Sequence, residues 1–165
     1  MKDKKIIVLL TVLTVAAVGQ IVLAFLLYAE PGNDTVRNVG WGVLCLSAVF
    51  GWLPIYHFKR WGRVPRRKSF IQTTVLVDRG LYAIVRHPQF LAGILMGVAL
   101  ALIAQHWLVA VLGAIAIVTY DISAFEEEKA SIAKLGDDYQ RYRESVPRFN
   151  FILGAVRALK RRSSR

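Results

Sequence analysis

What most constrains this chain is a set of long apolar runs with almost no charge inside them. Ile6 to Ala29 passes about 24 residues without a charge, where roughly 20 suffice to cross the hydrocarbon of a bilayer. Met1 to Lys5 is a short basic head before it, a pairing shared with secretory signals. The run is too long for a signal core, however, and Tyr28-Ala-Glu-Pro is a poor cleavage site, so it reads as a retained helix. Turn formers from Glu30 to Asp34 end it. Val36 to Phe58 is the second run, with Arg37 at its start, Lys59 and Arg60 at its end, and Pro54 placed to kink its last turn. Phe90–Ala104 and Trp107–Ala124 form a hairpin joined by Gln105 and His106, and Pro88 and Gln89 can extend the first arm. The expected fold is an all-α integral membrane protein with about four transmembrane helices, near 6–29, 36–58, 89–104 and 107–124, in one domain covering 1–165.

Composition bears this out. With 55% hydrophobic residues and a net charge of +11, the chain is strongly basic, yet the basic residues alternate with apolar runs. A nucleic-acid binder would carry them on a folded polar surface, so no nucleic-acid partner is expected. Cys45 stands alone in an apolar run, which rules out a disulfide within the chain and makes it a packing residue.

The charges also set an orientation. Of 22 Lys and Arg residues, only Arg37 falls in or beside a loop on the side opposite the termini. The positive-inside rule then puts both termini and the Lys59–Asp78 loop in the cytosol, in a multi-pass protein of the cytoplasmic (inner) membrane. Lys59 to Lys68, KRWGRVPRRK, is the most basic segment and suits an anionic lipid surface. Beyond Glu126, Ile132, Leu135, Tyr139, Tyr142 and Val146 recur three and four apart, one face of a cytosolic amphipathic C-terminal helix. Gly136 can divide that helix, Pro147 closes it, and Lys160-Arg161-Arg162 forms a basic tail. Gly93 and Gly97 follow the small-xxx-small spacing that lets helices approach closely.

No span carries an ionisable residue near its middle, which counts against a proton-coupled transporter. Polar groups gather at one membrane face instead. Arg86, His87 and Pro88 open the third span, and Glu126-Glu127-Glu128 closes the fourth. With so short an outer turn, helix geometry returns the acids to the depth of His87, where they suit a cationic ligand. No Gly-rich loop follows a strand, no spacing of the one Cys and three His fits zinc, and no Ser-centred elbow is present, so no metal is expected.

Two blocks of sequence, in order around the hairpin, resemble the isoprenylcysteine carboxyl methyltransferase family. The first runs Leu76-Val77-Asp78-Arg79-Gly80-Leu81-Tyr82 and then Val85-Arg86-His87-Pro88-Gln89-Phe90-Leu91-Ala92-Gly93. The second comprises Glu127-Glu128, Gly136, Tyr139, Tyr142 and Val146-Pro147-Arg148-Phe149. The likeness covers about 74–149 and extends in general layout to membrane methyltransferases that act on phospholipid amines.

The resemblance implies S-adenosyl-L-methionine as cofactor, bound facing the cytosol between the third and fourth spans and the C-terminal helix. Its binding positions fall on Thr74, Val75, Leu76, Val77, Tyr82, His87, Pro88, Gln89, Phe90, Glu127 and Glu128, and its catalytic positions on Arg86, His87 and Glu127. It also implies a lipophilic small-molecule or lipidated acceptor drawn from the bilayer. Two positions depart from the family pattern. Ser123 stands where an arginine holds the acceptor carboxylate, and Phe90 replaces a tyrosine. The first departure opens the alternative of a phospholipid amine acceptor; a non-catalytic scaffold or small transporter is the competitor from another class, and a sterol-type reductase a remoter one.

Overall fold

The computed structural model describes residues 2–28, 32–61 and 76–163. Thr74, Val75 and the basic segment from residue 62 onward lie outside the described residues. The described residues form six α-helices and one 3-10 helix: α1 (Lys2–Leu26), α2 (Asp34–Trp61), the 3-10 helix (Gly80–Ala83), α3 (Pro88–Ala104), α4 (Trp107–Leu135), α5 (Asp137–Ser145) and α6 (Phe151–Ser163). Among the described residues α1, α2 and α4 are long and apolar enough to cross a membrane, and α3 is a shorter apolar helix of 17 residues. Their outward side chains are apolar: Ile7, Val15, Phe25, Trp52 and Val118 are all exposed, as lipid-facing residues must be. The protein is an all-α, multi-pass membrane protein.

The helix ends follow local chemistry. Asn33 accepts the Val36 N–H at 3.1 Å and starts α2. Pro88 is the first residue of α3, where its missing donor costs nothing. The fourth apolar run does not stop at Ala124: Glu, Lys and Ala are good helix formers and carry α4 on to Leu135. Gly136, at φ +58, breaks it there, so the expected amphipathic helix is divided at that glycine into the end of α4 and α5. The chain after Pro147 is a helix too, α6, started by Asn150 accepting the Leu153 N–H at 2.9 Å.

The chain divides into two compact units, one of Met1–Val49 with Phe90–Glu126 and the other of Phe50–Gln89 with Glu127–Arg165. In the first, helices run antiparallel and both ends are tied. Gln105 reads Asn33 reciprocally, its Oε1 accepting the Asn33 N–H at 3.0 Å and its Nε2 donating to the Asn33 carbonyl at 2.8 Å. This joins the α1–α2 turn to the α3–α4 turn. At the other end Lys5 Nζ meets Glu126 Oε1 at 2.6 Å. Small residues fill the interior, with Ala99, Ala104, Val109 and Ala116 all buried, as close helix approach requires. Gly93 and Gly97 both turn towards α4, Gly93 onto Tyr120 and Gly97 onto Gly113. Cys45 is exposed rather than packed.

Gln20, in the C-terminal half of α1, is the most deeply buried of this unit's polar residues among those described, at 1% exposed. Its Nε2 donates to the Gly97 carbonyl at 2.8 Å and to the Val109 carbonyl at 3.1 Å, so one side chain joins α1, α3 and α4. Replacing Gln20 by Leu keeps the volume and removes both bonds. Because such bonds average well under 1 kcal/mol and reach at most about 1.7 kcal/mol, the expected loss is about 1 kcal/mol, measured as a lower midpoint of unfolding in mixed micelles.

The second unit is built from the end of α2, the Leu76–Gln89 segment, the end of α4, and α5 and α6. Tyr139, Tyr142 and Val146 form its core with Leu76, Ile132 and Leu135 against them, which unites the whole apolar face expected from the sequence. Gly80 sits at φ +63 over His57, whose Nε2 would lie 2.6 Å from a Cβ there. Phe50 of α2 packs on Phe151 of α6, ring centroids 5.3 Å apart.

Candidate active site

In the second unit, the two sequence blocks meet through the backbone. The Arg86 N–H donates to the Pro147 carbonyl at 3.0 Å and the His87 N–H to the Arg148 carbonyl at 3.4 Å. These bonds lay the Arg86-His87-Pro88 corner alongside Val146-Pro147-Arg148. The Tyr142 hydroxyl adds a third tie, donating to the Tyr82 carbonyl at 2.7 Å.

Glu128 lies at the centre of this junction, with its side chain 4% exposed. Its Oε1 accepts from Arg86 Nη2 at 2.9 Å and from Arg148 Nε at 3.0 Å, and its Oε2 accepts from Arg148 Nη2 at 3.0 Å. The Arg148 fork is therefore bidentate, the strong geometry for a carboxylate. His87 Nε2 stands 3.2 Å from the same Oε1. A buried carboxylate needs such company, since desolvation of a lone charge costs several kcal/mol. Arg86 does a second job: its Nη1 donates to the carbonyls of Arg143 and Val146, closing the C-terminal end of α5.

Glu127, one residue earlier, faces outward and is exposed. Its charge, together with burial as the larger cause, pushes the Tyr82 phenol up. Burial, and then the charge of Glu128, pushes Tyr139 up to about 12. Burial, followed by the neighbouring Tyr139 and Tyr82, holds Tyr142 well above its ordinary value. All three phenols stay neutral at physiological pH and act as packing and hydrogen-bonding groups.

Of the residues named from sequence, Arg86, His87 and Glu128 touch one another, while Tyr82 and Glu127 are coupled by charge. Val77 and Pro88 are buried and Gln89 is exposed. Phe90 belongs to the first unit, where it packs on Tyr120 at 5.7 Å. Ser123, in the position of the family's arginine, donates its hydroxyl to the Thr119 carbonyl of its own helix at 2.7 Å. Glu126, the extra acid, pairs with Lys5. Leu76 lines a cavity of about 670 Å³ with Asp78, Asp138, Arg141, Tyr142 and Arg161. Neither His87 nor Glu127 lines that cavity.

Arg148 is the residue that sequence reasoning undervalued. It lay in view within Val146-Pro147-Arg148, but its role depends on a carboxylate 20 residues earlier that needs a second cation. Tyr142, likewise visible in its motif, gave no sign that its hydroxyl would reach back 60 residues to Tyr82.

No curated protein and no solved structure matches the chain. A model of the phospholipid methyltransferase family matches residues 36–136, which take in the Arg86-His87-Pro88 corner and the Glu127-Glu128 pair. More than half of the chain, including Arg86, His87 and Glu128 of the charged junction but not Arg148, thus fits that family's pattern, and the chain belongs to the phospholipid methyltransferase family of membrane methyltransferases.

Proposed function

We propose that the chain, acting as a single domain, transfers a methyl group from S-adenosylmethionine to a lipid-borne amine, the headgroup of a phospholipid, at the cytosolic face of the membrane. The observation that carries the acceptor is the state of the cations. Arg86 and Arg148 both hold Glu128, and the neutral Ser123 replaces the arginine that would grip a carboxylate. An anion, Glu127, is the exposed charge of the pair instead. The excess of Lys and Arg on one side supports the cytosolic placement of both termini.

The donor set fits the cofactor. Its methionine ammonium and sulfonium are cations, and Glu127 offers a carboxylate that Glu128, already paired, does not. Tyr82, neutral and buried beside it, contributes an aromatic face, and Leu76, Val77, His87, Pro88 and Gln89 complete the candidate contacts. When bound, the cofactor supplies a methyl carbon activated by the sulfonium. An amine acceptor is protonated at neutral pH and must lose a proton before its lone pair can attack, and His87 or Glu127 is the candidate base. His87, with Nε2 on Glu128, is held in a fixed orientation, and Arg86, Glu128 and Arg148 act as positioning residues.

The experiment is methyl transfer from labelled S-adenosylmethionine to phosphatidylethanolamine in nanodiscs carrying the purified protein. Labelled lipid supports the reading, and its absence alongside cofactor binding overturns the acceptor. Glu127→Gln should weaken calorimetric binding of S-adenosylhomocysteine by roughly tenfold, the loss of one charge-assisted contact. Failure of intact wild type to bind would leave a scaffold as the better reading.

A second reading, isoprenylcysteine carboxyl methylation, is favoured by one observation: the two signature blocks that resemble that family are bonded to each other at Arg86–Pro147 and His87–Arg148. Methylation of a prenylcysteine carboxylate in the same assay, with none of phosphatidylethanolamine, would select it.

A further inference from the structure

Helix α6 has two faces with different surroundings. On one, Gly154 is buried so tightly against the backbone of Ile84 that a side chain at 154 would collide with the Ile84 carbonyl oxygen. Arg161 secures the same face by donating to the Ala83 carbonyl at 2.8 Å. On the other face Ile152, Val156 and Leu159 recur at i, i+4 and i+7 with Leu153 beside them, and all four are exposed. Arg157 and Lys160 flank that stripe.

Depth is fixed by α2. Phe151, the first residue of α6, packs on Phe50, which lies within the apolar span Asp34–His57. Phe50 precedes the end of that span by two turns, about 10 Å, so α6 begins below the membrane surface. The neighbouring α2 residues Trp52, Leu53 and Tyr56 are exposed, as expected of an interfacial aromatic belt. The stripe on α6 continues this lipid-facing surface. At 13 residues α6 is too short to cross a bilayer that needs roughly 20.

We propose that α6 is an in-plane membrane anchor, with Ile152, Leu153, Val156 and Leu159 inserted in the leaflet at the C-terminal end of α2 and the basic flank among anionic headgroups. An apolar stripe with basic edges, on a helix of mixed composition, is the pattern of an interfacial helix. Because the opposite face grips Ala83 and Ile84, the anchor braces the segment that leads into Arg86 and His87. The partner is the bilayer itself, and the inference stands whichever acceptor is methylated.

The test uses the full chain in nanodiscs of phosphatidylcholine with phosphatidylglycerol. In a Cys45→Ser background, Val156→Cys, Leu159→Cys and Arg157→Cys each carry a nitroxide, and accessibility to oxygen is compared with accessibility to a water-soluble nickel chelate. Positions 156 and 159 should show an oxygen-to-nickel ratio several-fold above that at 157. A nickel-accessible stripe equal to 157 would place α6 in water and overturn the proposal. So would labels at 156 and 159 screened from both reagents with spin–spin broadening, which would mean that a second copy covers the face.

Discussion

Replacing Glu128 by alanine is expected to lower stability by about 3–5 kcal/mol, the usual consequence of removing one partner from a buried ion cluster. The geometry sets the size of the effect. One carboxylate accepts from two guanidiniums and faces a histidine, at 2.9 to 3.2 Å, with 4% of its side chain exposed. Without it, Arg86 and His87 keep side chains only 8% and 6% exposed and lose their anion. For a chain of this size the apparent melting temperature should fall by the order of 10 °C, read by scanning fluorimetry in detergent. Glu128→Gln keeps the shape but not the charge and should fall between the two. Cofactor binding should fail in Glu128→Ala together with the fold, whereas Glu127→Gln should weaken binding with the melting temperature unchanged. A Glu128→Ala protein as stable as wild type would mean that the junction is not what holds the second unit together.

Gly154→Ala is the other substitution of large expected effect. The obstacle to a new methyl group is the main-chain oxygen of Ile84, which has no rotamer by which to retreat. Overpacking of a core typically costs about 1–3 kcal/mol, and against backbone the upper end is expected. α6 must lift from Ala83 and Ile84, releasing the Arg161 bond and the Phe50–Phe151 contact. Hydrogen exchange should accelerate in Gly80–Val85 and α6, and the amides of α1 and α3 should hold. Gly42→Ala is the control: nothing lies within 4 Å of a Cβ there, so this change should be neutral or slightly stabilising, since alanine is the better helix former by about 1 kcal/mol.

The membrane helices were legible because hydrocarbon imposes length and apolarity on the sequence itself. Runs such as Ile6–Ala29 have no alternative context in which they are stable. The Gly136 break was legible for a similar reason, a local backbone requirement met by one residue type. The continuation of α4 is less legible: polarity changes at Glu126, which suggests a change of element, although Glu-Glu-Glu-Lys-Ala is strongly helical. α6 was concealed by its basic end, which drew attention from Asn150 and the stripe at 152, 156 and 159. For the charged junction, the motifs indicated Arg86, His87, Glu127 and Glu128 but not how they divide the work. Glu127 and Glu128 are adjacent in sequence, yet on a helix they point about 100° apart. One is exposed and the other enclosed by Arg86, Arg148 and His87. Arg86 and His87, joined by Arg148 from beyond Pro147, converge on Glu128 and make that distinction.

The bonds from Arg86 and His87 to Pro147 and Arg148 join segments that are made far apart in time. Helices α1 to α4 leave the ribosome before residue 147, so their membrane insertion precedes closure of the junction. Arg86 is separated from its acceptor at Val146 by 60 residues, and long-range closure of this kind comes late in assembly. A nascent chain that has reached Glu128 holds a carboxylate and Arg86, but not the bidentate fork that completes the set. A chain released short of Arg148 would carry α1 to α4 but lack the bidentate fork that completes the partners of Glu128.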